Sequence, residues 1–301
     1  IANMHDPFVL PDMKAAAGRL LDAVRRGEKI RVYGDYDVDG ISSVSLVVSV
    51  LRASGANVDY YIPNRLIEGY GLSIEAIQKA AEDGVALLIT ADCGIGAFDE
   101  AEAAESCGVD LIITDHHEAG ASVPRCAAVV NPKRHDSDYP FKELAGVGVA
   151  FKLCQALWRL AGRPDGAADP HSYLDLVALG TIADVVPLLD ENRIIAKLGL
   201  EMMGHSSNLG VQSLLDVAGL TRHQGGQCQL HVGPPGECRR SPGRSQPWRQ
   251  ALPHRLSARG VGARCDAGRG EQKAAGDRAC DPSAGMGTGQ QDEHSVYPRH
   301  R

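Results

Sequence analysis

Five short apolar runs, each closed by turn residues, punctuate the first 223 residues and leave such a chain few ways to fold. They lie at residues 30–33, 58–62, 86–90, 111–114 and 127–130. Between them stand amphipathic stretches of helical period at residues 41–53, 73–81, 98–107 and 147–160. Runs that are apolar almost throughout, rather than at alternate positions, belong to strands buried on both faces. Strands alternating with helices of this length form a mainly parallel sheet. The expected fold is therefore α/β, a doubly wound, mainly parallel five-stranded sheet flanked by helices. Further helices are expected at 172–183, 193–203 and 210–217. In open sheets of this kind the functional site lies beyond the carboxyl ends of the strands.

Composition divides the chain in two. Residues 1–223 carry 19 Lys and Arg against 31 Asp and Glu, whereas residues 224–301 carry 12 against 7. The second stretch has no Ile and no Phe, and its 78 residues include 13 Gly, 7 Pro and 4 Cys. Such a segment cannot bury enough apolar surface to offset the entropy of ordering itself, so it reads as a disordered tail. No apolar run approaches the roughly 18 residues of a membrane span, so no membrane partner is expected. Asp6, Asp12 and Lys14 interrupt any secretory leader, and the chain opens on Ile1, as a fragment would. Its 8 cysteines form no C-x-x-C pair. A reduced, cytoplasmic protein is the default expectation.

Chemistry-bearing residues gather where the strands end. The first strand runs into Gly34-Asp35-Tyr36-Asp37-Val38-Asp39-Gly40. Three carboxylates at alternate positions on a tight turn repel one another and call for a cation. A calcium loop of the EF-hand type fails, because counting from Asp35 places Leu46 where the bidentate Glu belongs. The third run ends at Asp92, which read alone is more often a helix cap than a ligand. The fourth ends in Asp115-His116-His117, and Asp184 closes an apolar helix, where its charge opposes the dipole. Carboxylates mixed with imidazole suit Mn²⁺ or Mg²⁺ rather than Zn²⁺. The number of carboxylates suggests two ions, the apparatus of phosphoester hydrolysis.

GDYDVDG, ADCG, Asp115-His116-His117 and GTIADVVPL resemble, in order and setting, the DHH phosphoesterase superfamily. DPFVLPDM, Ile62-Pro63-Asn64-Arg65 with EGYGL, Asn131-Pro132-Lys133 and LAGVGVAFKL narrow the resemblance to its nucleases acting on single-stranded DNA in the 5′→3′ direction. The likeness spans about residues 5–222. It implies Asp37, Asp39, Asp92, His116 and Asp184 as metal ligands and His117 as a ligand or phosphate contact. It implies Asp115 as the residue that orients the imidazoles, and Arg65, Asn131 and Lys133 as contacts to the nucleic-acid backbone. Asp35 and Tyr36 stay undecided, since Tyr33 stands where related phosphatases place a His ligand. Residues 1–190 then form the catalytic domain and residues 191–223 connecting helices. Single-stranded DNA is the implied substrate in DNA repair and recombination, with a single-strand-binding protein and a helicase as further partners. The rivals are an oligonucleotide or cyclic-dinucleotide phosphodiesterase and a non-enzymatic scaffold, which would need degraded ligand positions.

The tail departs from that resemblance. Codons allowed by residues 233–255, read one nucleotide later, can encode GPRVNAAGRLGDPSLGVKLFLTD, a string of the kind the superfamily carries next; Trp248 before Arg249 forces a Gly there. A frameshift near residues 222–230 is the expectation, and with it the loss of the superfamily's second, DHHA1-type domain.

Overall fold

The computed structural model describes residues 3–64, 68–164 and 168–219. Arg65 and the tail over 224–301, expected to be out of frame, lie outside the described residues. The elements follow in the order α1 (Met13–Arg26), β1 (Lys29–Gly34), α2 (Val38–Ala53), β2 (Asn57–Tyr61), α3 (Ile74–Glu82), β3 (Leu87–Ala91), α4 (Phe98–Ser106), β4 (Asp110–Thr114), β5 (Ala128–Val130), α5 (Gly146–Leu160), α6 (Leu174–Ala183), α7 (Asp190–Met203) and α8 (Leu209–Val217). All five expected strands form, and every pairing between them is parallel.

The sheet order is β2-β1-β3-β4-β5, so the chain reverses direction across the sheet between β1 and β3. Strand alternation sorts the core into two layers. Ile30, Val32, Leu87, Ile89, Ala91, Ile112, Ala128 and Val130 face a layer that holds α1, α2, α5 and α6. Tyr33, Leu88, Leu111, Ile113 and Val129 face the other, which α3 and α4 cover through Ile77, Ala80, Ala101 and Ala104. β3, central in the order, is buried along its whole length, as its unbroken apolar run requires.

One helix, α1, was not expected from the sequence. Its buried stripe (Met13, Ala16, Ala17, Leu20 and Ala23) stands opposite a charged face, but being largely alanine it makes no strongly apolar run. Gly27, at φ 67°, ends it in the left-handed conformation that glycine adopts without strain. α7 and α8 form close to the expected 193–203 and 210–217, and send Ile195, Met203 and Val211 into the first core layer. No described helix is long and apolar enough to cross a membrane.

Candidate metal centre

The reversal between β1 and β3 opens a crevice at the carboxyl ends of the strands, where the expected ligand residues gather. Beyond β1 the chain turns tightly: Gly40 lies so close to Asp35 that a Cβ there would sit 2.6 Å from the Asp35 carbonyl oxygen. Asp37 is exposed and caps α2, its carboxylate accepting from the Gly40 N–H at 2.9 Å. Asp39, in the first turn of α2, is 1% exposed. Its two oxygens accept the N–H groups of Gly146 at 2.7 Å and Val147 at 2.9 Å. These are the first amides of α5, a helix whose N-cap, Ala145, supplies no side-chain bond.

Asp92 follows β3 at φ 65°, a left-handed conformation that Asp tolerates better than most residues. His116 follows β4 and turns its Nε2 into the crevice, 3.2 Å from Asp92, 3.7 Å from Asp184 and 3.9 Å from Asp39. Asp184 arrives from the far side as the C-cap of α6, and the next residue, Val185, is held at φ 60° with 77% of its surface exposed. Three sets of ligand atoms result, each within 4.8 Å: Asp39 with His116 and Asp184, Asp92 with His116 and His117, and Asp35 with Asp37 and Asp92.

Asp115 is the organiser. Its Oδ1 accepts from the backbone of His116 at 2.7 Å and of His117 at 3.1 Å, and faces the His117 Nδ1 at 2.7 Å. Its Oδ2 accepts from the Ile95 N–H at 2.8 Å. It therefore orients one imidazole, that of His117, and leaves the other nitrogen of that ring for an ion or a phosphate. His116 is placed through its backbone and not through a bond from Asp115 to its ring.

Charge at the site is unbalanced. Burial pushes the Asp39 carboxyl well above its ordinary range, and the Asp92 charge adds to it. Burial lifts Asp92 to about 9, with Asp37 and Asp115 contributing. Asp184 is raised by burial too. Asp115 moves the other way: burial is outweighed by the His117 bond and charge and by the Ile95 N–H. The bond to Asp115 in turn lifts His117 to about 9 against its own burial. One carboxylate oxygen, Asp92 Oδ1, is buried and accepts no hydrogen bond among the described residues. Crowded carboxylates short of positive charge, an orphaned oxygen and an oxygen-plus-imidazole donor set without thiolate fit a hard divalent cation.

All five ligands implied by the resemblance come together, and Asp35, undecided in the sequence, joins them as a buried member of the third set. Tyr33 stands apart, stacked on Tyr61 with its hydroxyl donating to the Gly71 carbonyl. Asn131 is not placed as a backbone contact: it is wholly buried, donates to the His117 carbonyl at 2.9 Å and accepts the Lys133 N–H at 2.7 Å. Lys133 pairs with Glu118 at 3.0 Å and lies near enough to Asp184 to oppose the rise of its pKa. Cys93 and Cys154 are buried core residues, as expected.

A parallel sheet carrying carboxylates and a His pair on its carboxyl edge defines the class: residues 29–181 match the DHH family, N-terminal domain, and the chain belongs to that family. Within it, the chain is similar to the single-stranded-DNA-specific exonuclease RecJ of Bacillus subtilis, 50% identical over 218 residues, covering 72% of this chain and 27% of that protein. The RecJ of Escherichia coli is 42% identical over 219 residues, 69% of this chain and 38% of that protein. The chain thus spans well under half the length of these curated relatives. A crystal structure of exonuclease RecJ bound to manganese superposes with a TM-score of 0.65 at 41% identity, over 71% of this chain and 53% of that one. RecJ from Thermus thermophilus in complex with Mn²⁺ gives 0.61 at 37% identity, over 71% and 30%.

Proposed function

We propose that this chain is the catalytic part of a divalent-cation-dependent exonuclease that hydrolyses single-stranded DNA from its 5′ end. The observation that carries the reading is the sharing of ligands. Asp92 and His116 each belong to two of the three sets, as they would beside two adjacent cations. Two such ions, when bound, activate water for in-line attack and offset charge on the departing oxygen. Asp37, Asp39, Asp92, His116 and Asp184 would hold them, with Asp35 beside Asp37.

The protein's own part is placement. Asp115 fixes the ring nitrogen that His117 presents, and Asn131 fixes the His117 backbone from behind. Lys133, on the rim beside Asp184, supplies a positive charge to a phosphate entering the crevice. Arg65, one residue beyond the described segment that ends at Asn64, is proposed to share that role. We place the catalytic domain at residues 1–190, followed by the helices of 191–223. Repair and recombination in the cytoplasm, beside a single-strand-binding protein and a helicase, is the setting proposed.

The test uses the full chain with a 5′-phosphorylated single strand, its duplex and a two-nucleotide substrate, each with Mn²⁺, with Mg²⁺ and with chelator. Metal-dependent release of mononucleotides from the long single strand supports the reading. Hydrolysis confined to the two-nucleotide substrate would instead identify an oligonucleotide phosphodiesterase.

A further inference from the structure

Gly146 and Gly180 are helical glycines whose backbones need no glycine. Neither has a positive φ, and glycine weakens a helix interior. Clearance is the remaining reason, and in both cases a site carboxylate occupies the space. A Cβ on Gly146, at the start of α5, would fall inside the Asp92 carboxylate, closer to its Oδ1, Cγ and Cβ than any real Cβ approaches a neighbour. A Cβ on Gly180, in α6, would meet Asp39 Oδ1 and Val147 Cγ1, both at 2.8 Å. The two helices press on Asp92 and Asp39, the most buried carboxylates of the three ligand sets. Gly146 also donates its N–H to Asp39 while making room for Asp92, so one residue fixes the spacing between two carboxylates.

We propose that Gly146 and Gly180 are positioning residues of the metal centre, setting the separation of Asp39 and Asp92 so that both reach a cation. The proposal rests on the metal-dependent reading above. Two glycines supply matched controls. A Cβ on Gly148, also in α5, has its three nearest neighbours in the Leu144 side chain, at 3.2 Å and beyond. One on Gly199, in α7, meets first the Leu174 backbone and the Ala178 Cβ of α6. Gly199→Ala should therefore strain the packing of α7 on α6 near the start of α6, while its nearest contacts include no ligand carboxylate.

The experiment measures Mn²⁺ affinity of the full chain by the electron paramagnetic resonance signal of unbound Mn²⁺. Circular dichroism of the metal-free protein is recorded alongside. Gly146→Ala and Gly180→Ala are expected to raise the Mn²⁺ Kd about tenfold or more, the range found when supporting groups of a metal site are altered. Gly148→Ala and Gly199→Ala should stay within about twofold, even where Gly199→Ala lowers the Tm. Unchanged Kd in both test variants would overturn the proposal, as would four Kd values that rise in step with lost Tm. Failure of both test variants to fold without metal would also overturn it, by making the clearance a folding requirement. A parent chain that binds no Mn²⁺ would instead overturn the metal-dependent reading itself. If only Gly146→Ala fails to fold, Gly180→Ala decides.

Discussion

Asp39 illustrates how a single side chain serves two structures. It completes the N-terminus of α5, 107 residues away, and the amides it accepts hold its oxygens toward His116. Asp39→Asn and His116→Ala are each expected to lower Mn²⁺-dependent hydrolysis by at least about 100-fold, with circular dichroism unchanged. Near-normal rates in either would remove that residue from the site. The carboxylate pattern was legible because alternation on a turn is itself improbable without a cation. Which carboxylate does what was not. Asp37 turns out to cap α2, and Asp35 is the more deeply buried of the pair. Nothing in the spacing of GDYDVDG distinguishes them, because the assignment depends on where α2 starts. Asn131 was misplaced for a related reason: a polar residue after a strand reads as exposed unless the backbone groups it satisfies are known.

At the scale of elements, the strands were readable because burial on both faces leaves a continuous apolar run, whereas α1, amphipathic but built on alanine, offers no such run to single it out. The joint between α6 and α7 carries strain that no pattern displays. Val185 is β-branched and left-handed, yet mostly exposed, so it gains little packing in return. Val185→Gly is expected to stabilise the protein by about 1 kcal/mol in urea unfolding; destabilisation would show that the contacts around Asp184 depend on the valine. Further along α5, Lys152 is wholly buried against Glu191, whose carboxylate also receives the Tyr139 hydroxyl and the His5 N–H. Burial lowers the Lys152 pKa, and Glu191 opposes the change. Lys152→Met strands that carboxylate in the core and should cost about 3–5 kcal/mol. A loss below about 1 kcal/mol would mean that water reaches Glu191.

Across the whole molecule, acidic groups held above their ordinary range make metal-free stability depend on pH. Asp92 is lifted from 3.8 to about 9, so the folded chain binds a proton that the unfolded chain has released between those values. Stability of the metal-free protein should therefore fall as pH rises through that window, and saturating Mn²⁺ should flatten the slope. Thermal melts from pH 5 to 9 with chelator or Mn²⁺ would show it, and parallel curves would mean that Asp92 is already ionised. The sheet order has a consequence for synthesis of the chain. Because the strands are all parallel, every partner in the crevice is reached by a crossover, and the ligands are spread from Asp35 to Asp184. Sites assembled from such distant segments appear late in folding. A ribosome-borne chain therefore passes through most of its elongation as an inert sheet. The proposed metal centre is complete only once α6, which carries Asp184, has emerged and docked.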